Sequence, residues 1–161
     1  MGYHVEVTLT CTVIRAARVP KAVEALKELM AEVRECGGGG SWQQGKKTNA
    51  CYSWVTTATV VEALERGDII AALKEWRYEA SEGDPMTPTE QLAAGSLYSD
   101  VHIEYFTGEK WGDDDQLWAA LAPFIDTDAV ATFRGEDDHL WRYVFRAGNH
   151  YTAQTGTIVW E

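Results

Sequence analysis

Apolar and polar residues alternate along the first segment of the chain. From Tyr3 to Ile14 the apolar side chains fall at every second position, and Cys11 occupies one of these positions. Alternation over this length is typical of a half-buried β-strand. We therefore expect one unbroken strand with the Cys11 thiol on its buried face.

A helical spacing replaces this alternation after the strand. Val23, Leu26 and later apolar residues recur three and four positions apart in a segment that begins near Pro20 and ends near Cys36. Proline is favoured in the first turn of a helix, and glycine stops one. Four glycines follow Cys36, so we expect a helix to end there and residues 37–48 to form a flexible loop.

Two shorter helices are predicted in the middle of the chain. Thr59 and Glu62 have the spacing of a capping box, and Asp68 is a favourable N-cap for the helix that follows it. A short strand near residues 76–80 comes next. Residues 81–96 are then predicted to form a proline-rich loop.

The clearest pattern lies on the C-terminal side of the chain. A strand at 101–106 and a helix precede three further strands, at 129–134, 140–146 and 151–160. The turns between these three strands are short and contain the glycine, asparagine and aspartate residues that hairpin turns favour. We therefore expect a three-stranded antiparallel meander.

These elements together indicate an α+β fold. The connections within the meander are too short for parallel crossovers, so we expect an antiparallel or mixed sheet with helices packed on one face. The length suits one domain over residues 1–161, and 45% hydrophobic residues supply a core. Within it we distinguish a strand–helix N-terminal part, 1–48, from an acidic C-terminal part, 81–161.

The excess of acidic residues lies entirely in the second half of the chain. The net charge is −11, and residues 1–80 hold ten basic and ten acidic residues whereas residues 81–161 hold four and fifteen. An acidic surface repels nucleic acid and anionic lipid and attracts basic proteins. We expect a basic protein partner, no direct contact with nucleic acid or membrane, and a possible homo-oligomer, although solubility alone also explains such a charge.

Known enzyme signatures are absent from the sequence, which has no P-loop, dinucleotide-binding or nucleophile-elbow motif. We expect no cofactor and favour a protein without catalytic activity. The remaining metal candidates are two H-x-E pairs, His4 with Glu6 and His102 with Glu104, because both members of such a pair lie on the same face of a strand. The four side chains converge only if the strands are neighbours, and the polar face of an amphipathic strand explains each pair more simply.

Two acidic groups and one tryptophan are the candidates for a partner-binding site. They are Trp111, Asp113, Asp114, Asp115, Glu136, Asp137 and Asp138. Helix capping explains the first acidic group and turn propensity explains the second. Aromatic residues beside dense acid are also what an interface for a basic partner requires.

The second half of the chain carries a distinctive string of residues. The string includes FTGEKWGDD, LAPF, RGED and WRYVF, all within residues 68–161. In these segments the chain resembles a group of small accessory proteins encoded by bacteriophages, prophages and other mobile elements. The resemblance implies a genomic context, and it transfers no catalytic residue and no cofactor to this chain.

The resemblance also implies a class of function. Acidic phage accessory proteins of this size often look like inhibitors of host defence, and some present carboxylates where a nuclease expects phosphates. We therefore expect a cytoplasmic binding protein that blocks a basic, nucleic-acid-handling host protein. The alternatives are a virion-assembly or regulatory component, and a metal-dependent enzyme that uses the His/Glu strand pairs.

Overall fold

The computed structural model describes residues 3–31, 41–43, 46–48, 55, 57–94, 98–108, 110–111, 114–146 and 150–157. Its strands are β1 Tyr3–Thr10, β2 Val13–Ile14, β3 Ser41–Gln43, β4 Lys46–Thr48, β5 Tyr78–Pro85, β6 Ser99–Phe106, β7 Lys110–Trp111, β8 Val130–Gly135, β9 His139–Arg146 and β10 His150–Thr157. Its helices are α1 Val19–Ala31, α2 Thr57–Glu65, α3 Ile69–Glu75, α4 Pro88–Ala94 and α5 Asp114–Leu121, with 3-10 turns at Ala16–Arg18 and Ala122–Phe124.

The strands form antiparallel sheets, and the consecutive strands β1 and β2 belong to two different sheets. One sheet has the order β10-β9-β8-β1-β7, and a second has the order β2-β6-β5. Strand β6 pairs with β2, where Val13 lies opposite His102, and strand β7 pairs with β1, where His4 lies opposite Lys110. The α+β fold and the C-terminal meander, β8-β9-β10, are thereby confirmed.

A backbone kink at Cys11 divides the predicted first strand. Cys11 has a φ of 55°, in the left-handed region that few residues other than glycine adopt, and the Val13 N–H donates to its carbonyl at 3.0 Å. The kink shifts the inward-facing positions from odd numbers, such as Val5, to even numbers, such as Ile14. Cys11 is consequently exposed, and the prediction of a buried thiol on an unbroken strand is wrong.

The helices cover one face of the sheets, as predicted. Helices α1, α2, α3 and α5 bury their apolar stripes against β1, β5, β6, β8 and β9 in one continuous core. Leu26, Leu64, Leu73 and Leu117 are each almost fully buried there. On the opposite face of β1, the side chains of Glu6, Thr8 and Thr10 are exposed.

Two loop predictions are wrong. Within the predicted loop 37–48, residues 41–43 and 46–48 pair as a short hairpin with Trp42 opposite Lys47, while 37–40 lie outside the described residues. Within the predicted loop 81–96, β5 continues to Pro85 and α4 begins at Pro88. The start of α4 is fixed by a reciprocal cap, since the Thr87 N–H donates to the Glu90 carboxylate at 3.1 Å and the Glu90 N–H donates to the Thr87 hydroxyl at 3.3 Å.

The predicted helix boundaries are partly confirmed. Asp68 caps α3 by accepting a hydrogen bond from the Ala71 N–H at 3.0 Å. Thr59 is not a cap, because α2 already begins at Thr57. None of the helices in the described ranges is long and apolar enough to cross a bilayer.

Candidate protein-binding site at one end of the sheet

The β8–β9 turn and strand β7 lie at the same end of the five-stranded sheet, the end at which β1 begins. His4 links them through its backbone, because it pairs with Lys110 on one side and its carbonyl accepts the Glu136 N–H at 3.1 Å on the other. Neighbouring strands lie about 4.8 Å apart. Strand β7 and the β8–β9 turn are therefore brought together across one strand, although more than 20 residues separate them in the sequence.

We call the exposed carboxylates of this region the acidic end, and its described members are Glu6, Glu136, Asp137 and Asp138. All four side chains are exposed. Their exposure leaves the charges in water, where they cost little to maintain. The acidic end is the largest grouping of exposed acid that the fold builds from the predicted candidates.

A groove of about 660 Å³ runs across this end. Its polar lining comes from His4, Glu6, Arg134, Glu136 and Asp138. Arg134 donates two hydrogen bonds to one Asp138 carboxylate oxygen, at 2.6 and 3.0 Å, and Glu6 faces it across the β1–β8 pairing. The hydrogen bonds with Asp138 and the nearby negative charges raise the pKa of Arg134, so its guanidinium stays charged and offsets part of the local acid.

The β8–β9 turn holds its carboxylates in a defined arrangement. Asp138 has a φ of 60°, a left-handed conformation that aspartate adopts more readily than most residues. The Asp137 carboxylate accepts the His139 N–H at 3.1 Å, which is a typical local bond of an acidic turn. Turn chemistry thus explains why acidic residues suit these positions, and it leaves the Glu136 side chain directed into the groove lining.

Asp114 does not belong to this surface. Its side chain is buried, and its carboxylate accepts a hydrogen bond from the Tyr78 hydroxyl at 2.7 Å. The Trp118 indole N–H donates to the same hydroxyl at 3.2 Å. Burial, reinforced by the Asp114 charge, raises the pKa of Tyr78 well above its ordinary value. The prediction that Asp114 contacts a partner is therefore corrected to a structural role at the start of α5.

Asp115, the next residue, has the opposite environment. Its side chain is exposed, and its negative charge acts on two tyrosines of the meander. Burial is the main reason that the pKa of Tyr143 is raised to about 12, with the charges of Tyr151 and Asp115 adding to it. Asp113 and the side chain of Trp111 lie outside the described residues, although the Trp111 backbone pairs with Tyr3.

The two H-x-E pairs lie on strands of different sheets. His4 on β1 pairs with Lys110, whereas His102 on β6 pairs with Val13, nine residues further along the chain than His4. Several residue steps therefore separate the two histidines, and the four side chains do not converge. Glu104 instead accepts a hydrogen bond from Ser81 at 2.7 Å, and the described residues contain no group of three or more possible metal ligands.

A second cluster, which the sequence did not reveal, lies around β2 and β6 of the three-stranded sheet. The buried Asp100 carboxylate accepts the Ala16 N–H at 2.7 Å and an Arg15 N–H at 3.2 Å. Arg15 also donates to Asp126 at 2.8 Å, and Arg18 lies 3.9 Å from that carboxylate. We call Arg15, Arg18, Asp100 and Asp126 the paired cluster, because its carboxylates are matched by arginines from the less acidic half of the chain.

Sequence reasoning also missed the role of Glu6 and Arg134 in the groove. Glu6 was considered only as a metal ligand, and Arg134 was not considered at all. The alternation of β1 places Glu6 on the exposed face, and Arg134 directly precedes the acidic turn, but only the register of β1 against β8 brings them together. Comparison with protein-family models, with curated proteins and with solved structures gives no match.

Proposed function

We propose that the protein is a cytoplasmic binding protein encoded by a phage or mobile element, and that its acidic end blocks the basic surface of a host protein that handles nucleic acid. A host defence protein is one such target. The observation that carries the proposal is the convergence of exposed carboxylates from β1 and the β8–β9 turn on one end of the sheet.

The charge pattern of this end supports a basic partner. Carboxylates that remain exposed attract lysine and arginine over several ångströms and accelerate the encounter between partners. A surface that normally holds phosphates is basic for the same reason, so it attracts a rigid carboxylate array as well. Arg134 offsets only part of this field, because it is held against Asp138.

The resemblance of residues 68–161 to mobile-element accessory proteins supports the genomic context of the proposal. The acidic end falls within those residues except for Glu6. The distinctive segment RGED therefore belongs to this exposed surface. That placement favours a binding function over the alternative of a metal-dependent enzyme, since the H-x-E pairs lie on strands of different sheets.

Charge reversal at the acidic end tests the proposal. The Glu136→Lys/Asp137→Lys variant should lose capture of the basic host protein in a pull-down from host lysate at low salt, with affinity falling roughly tenfold or more. The matched control is Glu82→Lys/Asp84→Lys, which makes the same charge change at exposed positions on β5.

The outcomes separate specific docking from general charge attraction. If both double variants lose the partner equally, net charge alone drives the association and the acidic end is not the site. If the wild-type protein captures no nucleic-acid-binding protein at low salt, the proposal fails outright. Capture that survives in the control and disappears in the Glu136→Lys/Asp137→Lys variant supports it.

A further inference from the structure

Two of the outer strands, β5 and β10, differ in how open their free edges are to pairing with another chain. Strand β5 has register shifts against β6, contains Pro85, and carries Glu79, Glu82 and Asp84. Irregularity, proline and charge are the features by which proteins prevent an edge strand from pairing with another chain. Strand β5 therefore has a protected edge.

Strand β10 has none of these protections. It pairs with β9 over eight consecutive residues, from His150 to Thr157, without a register shift. It contains no proline, and the sequence from residue 147 to 160 has no Asp, Glu, Lys or Arg, although 24% of the whole chain is charged. Among the described residues no strand pairs with the other side of β10.

The backbone hydrogen bonds of β9 determine which N–H and C=O groups of β10 face outward. Phe145 of β9 bonds away from β10, because its N–H donates to the Ala129 carbonyl at 3.0 Å and its carbonyl accepts the Asp128 N–H at 2.8 Å. Backbone bonds alternate sides along a strand, so the even-numbered residues of β9 bond toward β10. Their pairing partners in β10 are also even-numbered, which leaves Tyr151, Ala153 and Thr155 with N–H and C=O groups directed outward.

We propose that β10 pairs antiparallel with β10 of a second copy of this chain, so that two five-stranded sheets become one continuous sheet in a two-fold dimer. In such a pairing the outward-facing, odd-numbered residues of one β10 lie opposite odd-numbered residues of the other. The two edges are therefore self-complementary. A second copy carries the same net charge of −11, so it can approach only where acid is sparse. Strand β10 is uncharged, so it meets this condition. A basic partner would find no carboxylate to bind on β10, and a second copy of the chain is therefore the better fit.

Mass measurement after size exclusion, over a range of concentrations, tests the dimer. The wild-type protein should reach twice the 17.9 kDa mass of the chain. Thr155→Pro removes one outward N–H while leaving the bonds from β10 to β9 intact, and it should shift the protein to the monomer. A wild-type protein that stays monomeric at every concentration, or a folded Thr155→Pro variant that still dimerises, overturns the proposal.

A charge-swap pair tests the same contact without a change of backbone. Ala153 is exposed and uncharged, so Ala153→Glu and Ala153→Lys each place like charges close together across the two-fold and should be monomeric. Mixing the two variants should restore a dimer that contains one copy of each. Variants that remain dimeric alone, or that stay monomeric when mixed, contradict the β10 interface. The dimer and the acidic end are tested by different residues, so either proposal can fail without the other.

Discussion

The paired cluster and the acidic end use the same residue types for different purposes. In the paired cluster, the carboxylates of Asp100 and Asp126 are held by Arg15 and by a backbone N–H. At the acidic end, the side chains of Glu136 and its neighbours are exposed, and Arg134 pairs with Asp138. The comparison teaches that a count of acidic residues does not locate a working surface, because stability and recognition draw on the same carboxylates.

The largest expected difference lies between two adjacent residues of the acidic triplet. Asp114→Ala removes the acceptor of the buried Tyr78 hydroxyl and should lower the free energy of unfolding by about 2–3 kcal/mol. Asp115→Ala alters an exposed side chain and should lower the free energy of unfolding by less, about 1 kcal/mol or below. Urea denaturation of both variants provides the measurement, and equal effects would contradict the separation of their roles.

The second comparison sets the paired cluster against the acidic end. Asp100→Ala leaves the buried Ala16 N–H without its acceptor and should cost about 2 kcal/mol in the free energy of unfolding. Asp138→Ala removes an exposed ion pair with Arg134 and should cost about 0.5 kcal/mol or less. Thermal denaturation at neutral pH distinguishes the two. A larger decrease in the free energy of unfolding for Asp138→Ala than for Asp100→Ala would mean that the acidic end mainly stabilises the fold.

Alkaline pH should destabilise the C-terminal meander. Burial raises the pKa of Tyr143 to about 12, whereas its unfolded value is 10.0, so the folded protein holds the phenolic proton more tightly. The stability linked to this group is complete below pH 10 and is lost as the pH rises toward 12. Tyr143→Phe should flatten that part of a plot of unfolding free energy against pH, and an unchanged slope would contradict the assignment.

Added salt should have the smallest effect and should act on the acidic end alone. Salt screens repulsion among the exposed carboxylates, so moderate salt should raise the free energy of unfolding by about 0.5 kcal/mol or less. Glu136→Gln/Asp137→Asn should reduce this dependence, whereas Glu82→Gln/Asp84→Asn on β5 serves as the control. The same response in both variants would show that the repulsion is spread over the whole molecule.

The parts of the fold that local sequence determines were predictable. Hairpin-turn residues and the alternation of apolar and polar positions predicted the meander correctly. The Asp68 cap was also predicted correctly. The α4 helix was missed although its signals are local, since Thr87 and Glu90 have capping-box spacing and Pro88 occupies the first helical position. The density of proline and glycine around these residues favoured the interpretation as a loop.

Other features were beyond sequence reasoning because they depend on distant contacts. The left-handed conformation of Cys11 has no residue-type signal, since cysteine has no preference for that region. Asp114 and Asp115 are chemically identical, and only the position of Tyr78 decides which of them is buried. The acidic end itself is assembled by the register of β1 against β8.

The central position of β1 has a consequence for how the protein is made. Its partner β8 lies far along the sequence, since Thr8 pairs with Thr132. At a synthesis rate of roughly 5–20 residues per second, β1 waits on the order of ten seconds for that partner to leave the ribosome. During this delay the apolar side chains of Val5 and Val7 have no sheet to join. Folding of the core is therefore expected to be late and slow, and the nascent chain to depend on chaperones during that interval.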